Sequence, residues 1–196
     1  PLVAVTRIGK VEFDSVGQSV DGCEVKIEQI DGCSEGEGEI LVKGNNVMLG
    51  YYENPEATAE VFTDDGFFRT GDIGTIDKKG YIRITGRKKN VIIASNGKNV
   101  FPEEIEERLL RSPLINEVVV IGRKGSGFND VIITAIVFPN LDAFGENRSY
   151  EDMCSEIKIT SVNQTLPSYK HIGKFEVRMT EFEKTPSKKI KRYLIN

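Results

Sequence analysis

The segment Lys184-Thr185-Pro186-Ser187-Lys188-Lys189-Ile190-Lys191-Arg192 places five cationic side chains in nine positions, close to the end of a chain that is acidic overall. A lysine held there in an ordered turn is a point positive charge, suited to phosphate or carboxylate oxygens. Ile190 and Leu194, four residues apart, predict a helical turn that would supply the order. Two blander readings compete, a solvated basic tail and a nucleic-acid patch. Against the second, only Tyr193 interleaves with the cations, so no base-stacking platform forms.

Thr70-Gly71-Asp72 presents a carboxylate beside a residue that turns freely. A fixed carboxylate accepts two hydroxyl hydrogen bonds at once, as a ribose diol requires. It reads equally as a Gly-Asp turn ending a strand. Arg87, after Gly86, can hold phosphate or ribose oxygens bidentately, or simply be solvated. Lys88-Lys89-Asn90 reads as a solvated connector. Neither G-x-x-x-x-G-K-S/T nor G-x-G-x-x-G occurs, and Gly36-Glu37-Gly38 lies among carboxylates that repel phosphate. With one histidine, His171, any mechanism that needs a His pair is excluded. Cys23, Cys33 and Cys154 are odd in number and lack C-x-x-C spacing, so neither a disulfide framework nor a zinc site is expected.

The elements that must position these groups fall into two differently patterned halves. Through Arg87 the chain reads as short strands and tight turns. Cys23–Ile27 alternates apolar and polar residues, and Glu39–Lys43 is a second strand ended by Gly44-Asn45-Asn46. Asn54 and Pro55 predict a capped short helix. Asp77-Lys78-Lys79-Gly80 is the connection of a hairpin into Tyr81–Ile84. Beyond Arg87, Pro102 opens a helix over 103–110 with apolar positions at Ile105 and Leu109, and Ser112-Pro113 ends it. Strands follow at 117–121, 131–138 and 174–180, with a link over 122–130 whose Gly125-Ser126-Gly127 reads as mobile, and a second helix over 150–164. The expected fold is α+β: a β-rich part over 1–87, a connector at 88–90, and a domain over 91–196 of about 105 residues, an ordinary size for an independent unit.

The chain has 196 residues with 26 Lys+Arg against 30 Asp+Glu, a net charge of −4. That balance argues against a protein built to hold nucleic acid. Its apolar runs are far below the ~18 residues of a membrane span. It begins at Pro1, within what reads as a strand over Leu2–Val5, so a piece of a longer protein is expected, with cytoplasmic localisation.

Taken in order, five blocks resemble the adenylate-forming superfamily of acyl-CoA synthetases, peptide-synthetase adenylation domains and luciferases. They are Gly38-Glu39-Ile40 with Gly50–Thr58, then Asp65–Asp72, Gly80–Lys89, Gly97–Glu106 and Thr185–Ile190. Within it, Gly86–Asn90 with Gly97–Pro102 is most similar to bacterial long-chain fatty-acid–CoA ligases. The resemblance implies the β-rich end of a large adenylating domain followed by a small mobile α+β domain. It also implies ligation in two steps: a fatty acid and ATP give acyl-AMP and pyrophosphate, then CoA displaces AMP.

By the same resemblance, Asp72 holds the ribose hydroxyls with help from Arg87, and Lys189 bridges the acyl carboxylate and α-phosphate. A cation between two anions offsets repulsion that a water-poor site magnifies. Lys89 falls at the hinge, where the small domain turns to exchange Lys189 for the loop Gly97-Lys98-Asn99-Val100 beside the CoA channel. Lys188 stands where the family pattern has glycine. ATP, Mg2+ and CoA are implied, with Mg2+ held mainly by an N-terminal part that also carries the phosphate loop and acyl pocket. No metal ligand is assigned within this chain and no nucleic-acid partner. Peripheral membrane association is compatible with the full enzyme. The remaining readings are a ligase that loads a carrier protein and a non-catalytic interaction module.

Overall fold

Alternating side chains in the first half produce a meandering antiparallel sheet. In this computed structural model, which describes residues 2–127, 130–144, 152, 157 and 162–195, the chain divides into two compact units, Pro1–Asn90 and Val91–Asn196. The first contains β1 (Ala4–Val5), β2 (Gly17–Ser19), β3 (Cys23–Gln29), β4 (Glu37–Gly44), α1 (Pro55–Val61), β5 (Phe68–Ile76) and β6 (Tyr81–Arg87). The sheet order is β1-β2-β6-β5-β4-β3, every pairing antiparallel. Cys23, Ile40, Val42 and Ile82 bury one face. α1 is capped as its sequence predicts, the Asn54 side chain accepting from the Ala57 amide at 3.0 Å with proline in the first turn.

The first unit ends in a 3₁₀ turn over Lys88–Asn90. The second begins with a small hairpin, β7 (Ile92–Ile93) and β8 (Asn99–Val100), followed by α2 (Pro102–Leu110). β9 (Ile115–Lys124) and β10 (Val131–Pro139) pair antiparallel, and β11 (Lys174–Val177) joins β10 in parallel. A one-turn helix, α3 (Leu141–Phe144), follows β10. Acids in its first turn and Arg108 in its last suit the dipole of α2.

β9 and β10 are buried on both faces through their middles, which accounts for their apolar runs, interrupted in β10 by the buried Thr134. Val118, Val120, Ile133, Ala135 and Val137 meet Ile105 and Leu109 of α2. On the other face Val119, Ile136 and Phe138 pack against Phe182, with Ile190 and Ile195 alongside. The terminal segment therefore covers one side of the sheet.

Several expectations are corrected. The link predicted over 122–130 begins later, because β9 continues to Lys124, which pairs with Val131. β11 stops at Val177 rather than 180. The helical turn expected from Ile190 and Leu194 does not include Ile190, which bridges Lys184 as extended chain and packs on the sheet. Leu194 is half exposed, in a 3₁₀ turn over Arg192–Leu194. Most of the helix predicted over 150–164, Cys154 included, lies outside the described residues.

Candidate functional site

Thr70-Gly71-Asp72 is not the end of a strand but a widened bulge inside one. β4 and β5 pair Glu39 with Ile73 and Leu41 with Arg69, so three residues of β5 stand opposite Ile40 alone. Gly71 supplies the φ of +70° that this detour needs, and a side chain there would meet open space, so backbone freedom is what selects glycine. The Thr70 hydroxyl braces the bulge by donating to the Ile40 carbonyl (2.7 Å) and accepting the Asp72 amide (3.0 Å).

The bulge delivers Asp72 opposite the last residue of β6. Asp72 is the strand partner of Arg87, and Arg87 Nε lies 2.7 Å from Asp72 Oδ1. Both side chains keep solvent access, so the pair presents a carboxylate and part of a guanidinium outward. Asp77 fixes the hairpin that sets this register. Its Oδ1 accepts the amides of Lys79 and Tyr81, each at 2.9 Å, and its Oδ2 meets Arg83 at 3.1 Å. The Tyr81 amide first, and Arg83 after it, hold the Asp77 carboxyl below the ordinary range.

Two residues that lie in the motif blocks but were given no role from the sequence complete this side. Glu39, 2% exposed, accepts the Gly71 amide at 3.1 Å and pairs with Lys88 Nζ at 2.6 Å. Arg69 lies 3.6 Å from the same carboxylate and forks onto Glu28. That hydrogen bond pulls Glu28 down and pushes Arg69 up.

In the second unit, Gly97 and Lys98 sit exposed at the turn between β7 and β8. The turn is closed by Gly97 N–H to the Ala94 carbonyl (2.8 Å) and Ala94 N–H to the Lys98 carbonyl (2.9 Å). Lys98 Nζ stands 4.8 Å from the Tyr169 ring centroid. Asn99 is half-buried. Val100 is fully buried in the core, so its side chain anchors the loop rather than facing a ligand.

Lys189 lies in a short terminal loop closed by the Lys184–Ile190 bridge. The Thr185 amide donates to the Lys189 carbonyl at 2.8 Å, and the Thr185 hydroxyl accepts the Lys189 amide at 3.2 Å. Lys188 has φ +60°, the left-handed conformation that glycine adopts without cost. The loop stands on buried carboxylates. Glu117 accepts the Phe182 amide at 2.9 Å and pairs with Lys184, whose ammonium it pushes up together with Glu181. Glu106, on α2, accepts the Val120 amide at 2.6 Å and pairs with Arg192. Burial pushes the Glu106 carboxyl up despite the opposing charge of Arg192. Lys189 itself projects into solvent from this braced frame.

The structure thus brings Asp72 and Arg87 together in the first unit. Gly97–Val100 and Lys189 belong to the second, as does the buried ionic support beneath the terminal loop. Among the described residues no group of three His, Cys, Asp or Glu side chains could hold a metal, and no helix is long and apolar enough to cross a membrane.

Residues 89–195 match the family described as the AMP-binding enzyme C-terminal domain. The chain is 32% identical to a long-chain fatty-acid–CoA ligase, FadD15, of Mycobacterium tuberculosis, over 98% of this chain and 34% of the relative. It is 43% identical to an indoleacetate–CoA ligase of Aromatoleum aromaticum, over 63% of this chain and 24% of that protein. Among solved structures, the o-succinylbenzoate CoA synthetase of Bacillus subtilis in complex with AMP matches with a TM-score of 0.76 at 29% identity, over 96% of this chain and 36% of that one. An ATP-bound RpMatB-BxBclM chimera matches with a TM-score of 0.77 at 31% identity, over 93% and 35%. The chain spans about a third of the length of FadD15 and of both solved structures. The mixed α+β architecture is that of the C-terminal part of adenylating enzymes.

Proposed function

This chain belongs to the AMP-binding enzymes, and from that premise we propose that it is the C-terminal third of an ATP-dependent fatty-acid–CoA ligase. The whole enzyme joins a fatty acid to ATP, releasing pyrophosphate, and then transfers the acyl group from AMP to CoA.

Asp72 accepts the two ribose hydroxyls. Arg87 holds Asp72 in place and offers its remaining N–H groups to ribose or phosphate oxygens. Lys189 supplies the cation between the attacking carboxylate and the α-phosphate, and withdraws once the adenylate has formed. Turning about Lys89 exchanges it for the Gly97–Val100 loop, which flanks the incoming thiol. Mg2+ travels with the ATP phosphates and is held by protein outside residues 1–196.

The observation that carries this reading is the Asp72–Arg87 pair. A glycine bulge aims it outward in the order of motifs the family uses. Support for a fatty acid comes from the alignment of FadD15 across 98% of the chain. Support for a larger enzyme comes from the relatives, of whose length the chain spans about a third. On this reading residues 1–196 alone make no acyl-AMP, because the phosphate loop and acyl pocket lie elsewhere, and the enzyme works in the cytoplasm.

The full-length protein, given ATP, Mg2+, CoA and a series of fatty and aryl carboxylates, tests the assignment. Acyl-CoA and AMP in equal amounts from a fatty acid support it. Preference for an aryl acid refutes the substrate class. AMP release with transfer only to a carrier protein identifies the carrier-loading alternative, and no adenylation with any acid favours a non-catalytic module.

A further inference from the structure

Glu39 is the most deeply buried carboxylate described in this chain, at 2% exposure. Burying a carboxylate costs several kcal/mol unless hydrogen bonds and charge repay it. Its partners are therefore informative. Oε1 accepts the amide of Gly71, the residue before Asp72, and Oε2 holds the ammonium of Lys88, the residue after Arg87. One side chain grips both ends of the Asp72–Arg87 pair from behind, without touching the outward face. Lys88 also opens the 3₁₀ turn over Lys88–Asn90, so the base of that turn is tied to β4.

We propose that Glu39 is a positioning residue for nucleotide binding, acting through Asp72. This rests on the ribose-binding reading of Asp72. The physical basis is the bulge itself. Three residues opposite one lack regular pairing to β4, and only Asp72 among them is paired to β6. A charge-assisted bond to the Gly71 amide is stronger than a neutral one and sets the direction of the next side chain. Glutamine in its place keeps the shape and can still accept the Gly71 amide, but it loses the charge that holds Lys88 and lies 3.6 Å from Arg69.

The test uses the full-length enzyme and its KM for ATP. Glu39→Gln is expected to raise that KM about tenfold while the KM for CoA stays within twofold. In an Asp72→Asn background the same substitution is expected to add less than twofold, because its route to the nucleotide is already cut. An unchanged KM for ATP overturns the proposal, and so does an equal penalty in both backgrounds, the mark of a merely structural role. Should Glu39→Gln not fold, Lys88→Met removes the half-exposed partner of the same carboxylate and is expected to raise the KM about threefold; no rise overturns the proposal. If Asp72→Asn alone leaves the KM for ATP unchanged, the ribose assignment fails, which separates that failure from one specific to Glu39.

Discussion

Arg87 Nε lies 2.7 Å from Asp72 Oδ1 across neighbouring strands, although fourteen residues and a hairpin separate them in the chain. The hairpin register and the Gly71 bulge together create this contact. A one-residue slip would point the two side chains to opposite faces.

The first prediction concerns that pair. Asp72→Ala in the full-length enzyme removes the acceptor for two hydroxyls and leaves Arg87 without its partner. A hydrogen bond to a charged group contributes about 1.5–3 kcal/mol, so the KM for ATP is expected to rise about 10- to 100-fold. Steady-state kinetics check it: the KM for fatty acid stays near wild type, and a shift in that constant instead contradicts the assignment.

Lys89→Pro separates holding from turning. Proline fixes φ near −65°, within the range of the 3₁₀ turn that Lys89 occupies, which removes the freedom to leave that conformation at Lys89 while also disfavouring the helical conformation at Lys88. Thioester formation is expected to slow about tenfold more than adenylation. Stopped-flow measurement of both half-reactions at wild-type rates would show that Lys89 is not the pivot.

Lys188 tests the shape of the terminal loop. At φ +60° a side chain costs roughly 1 kcal/mol that glycine avoids. Lys188→Gly is therefore expected to be about 1 kcal/mol more stable than Lys188→Ala in denaturant unfolding, the reverse of the usual order of these residues. Equal stability, or alanine ahead, contradicts the left-handed conformation.

Asp65 gives a pH signature. The Lys26 ammonium, and after it the Thr63 hydroxyl, pull its carboxyl from 3.8 down to about 2. A depressed acid contributes stability above its ordinary value and loses it as pH falls through its folded value, here between pH ~4 and ~2. Carboxyl-detected NMR titration of the 196-residue chain is expected to find Asp65 near 2, and clearly higher in Lys26→Met. An identical value in both would remove Lys26 as the cause.

Local chemistry made part of this fold legible. Asn54-Pro55 announced α1, the alternation of Cys23–Ile27 announced β3, and the spacing of Ile105 and Leu109 identified the inner face of α2. What stayed hidden depends on partners remote in the chain. Gly71 looked like the end of a strand because only the slipped pairing with β4 turns it into a bulge. Ile190 and Leu194 fit helical spacing, but the apolar face of β9 and β10 claims Ile190 as extended chain. Glu39, Glu106 and Glu117 look like surface residues in the sequence, yet all three are buried beneath the proposed functional loops. Their partners Lys88, Arg192 and Phe182 lie 49, 86 and 65 residues away. Resemblance gave roles to Asp72, Arg87 and Lys189, but gave none to the carboxylates beneath them, although Glu39 and Glu106 fall within the same motif blocks.

The central claim is that Lys189 acts in adenylation and withdraws before thioester formation. The direct measurement is the rate of each half-reaction in the full-length Lys189→Ala enzyme, the second started from supplied acyl-AMP. Removing a preorganised charge at the reacting centre costs about 10²–10³ in rate, so adenylation is expected to fall by that factor while CoA transfer stays near wild type. An equal loss in both half-reactions would contradict the account.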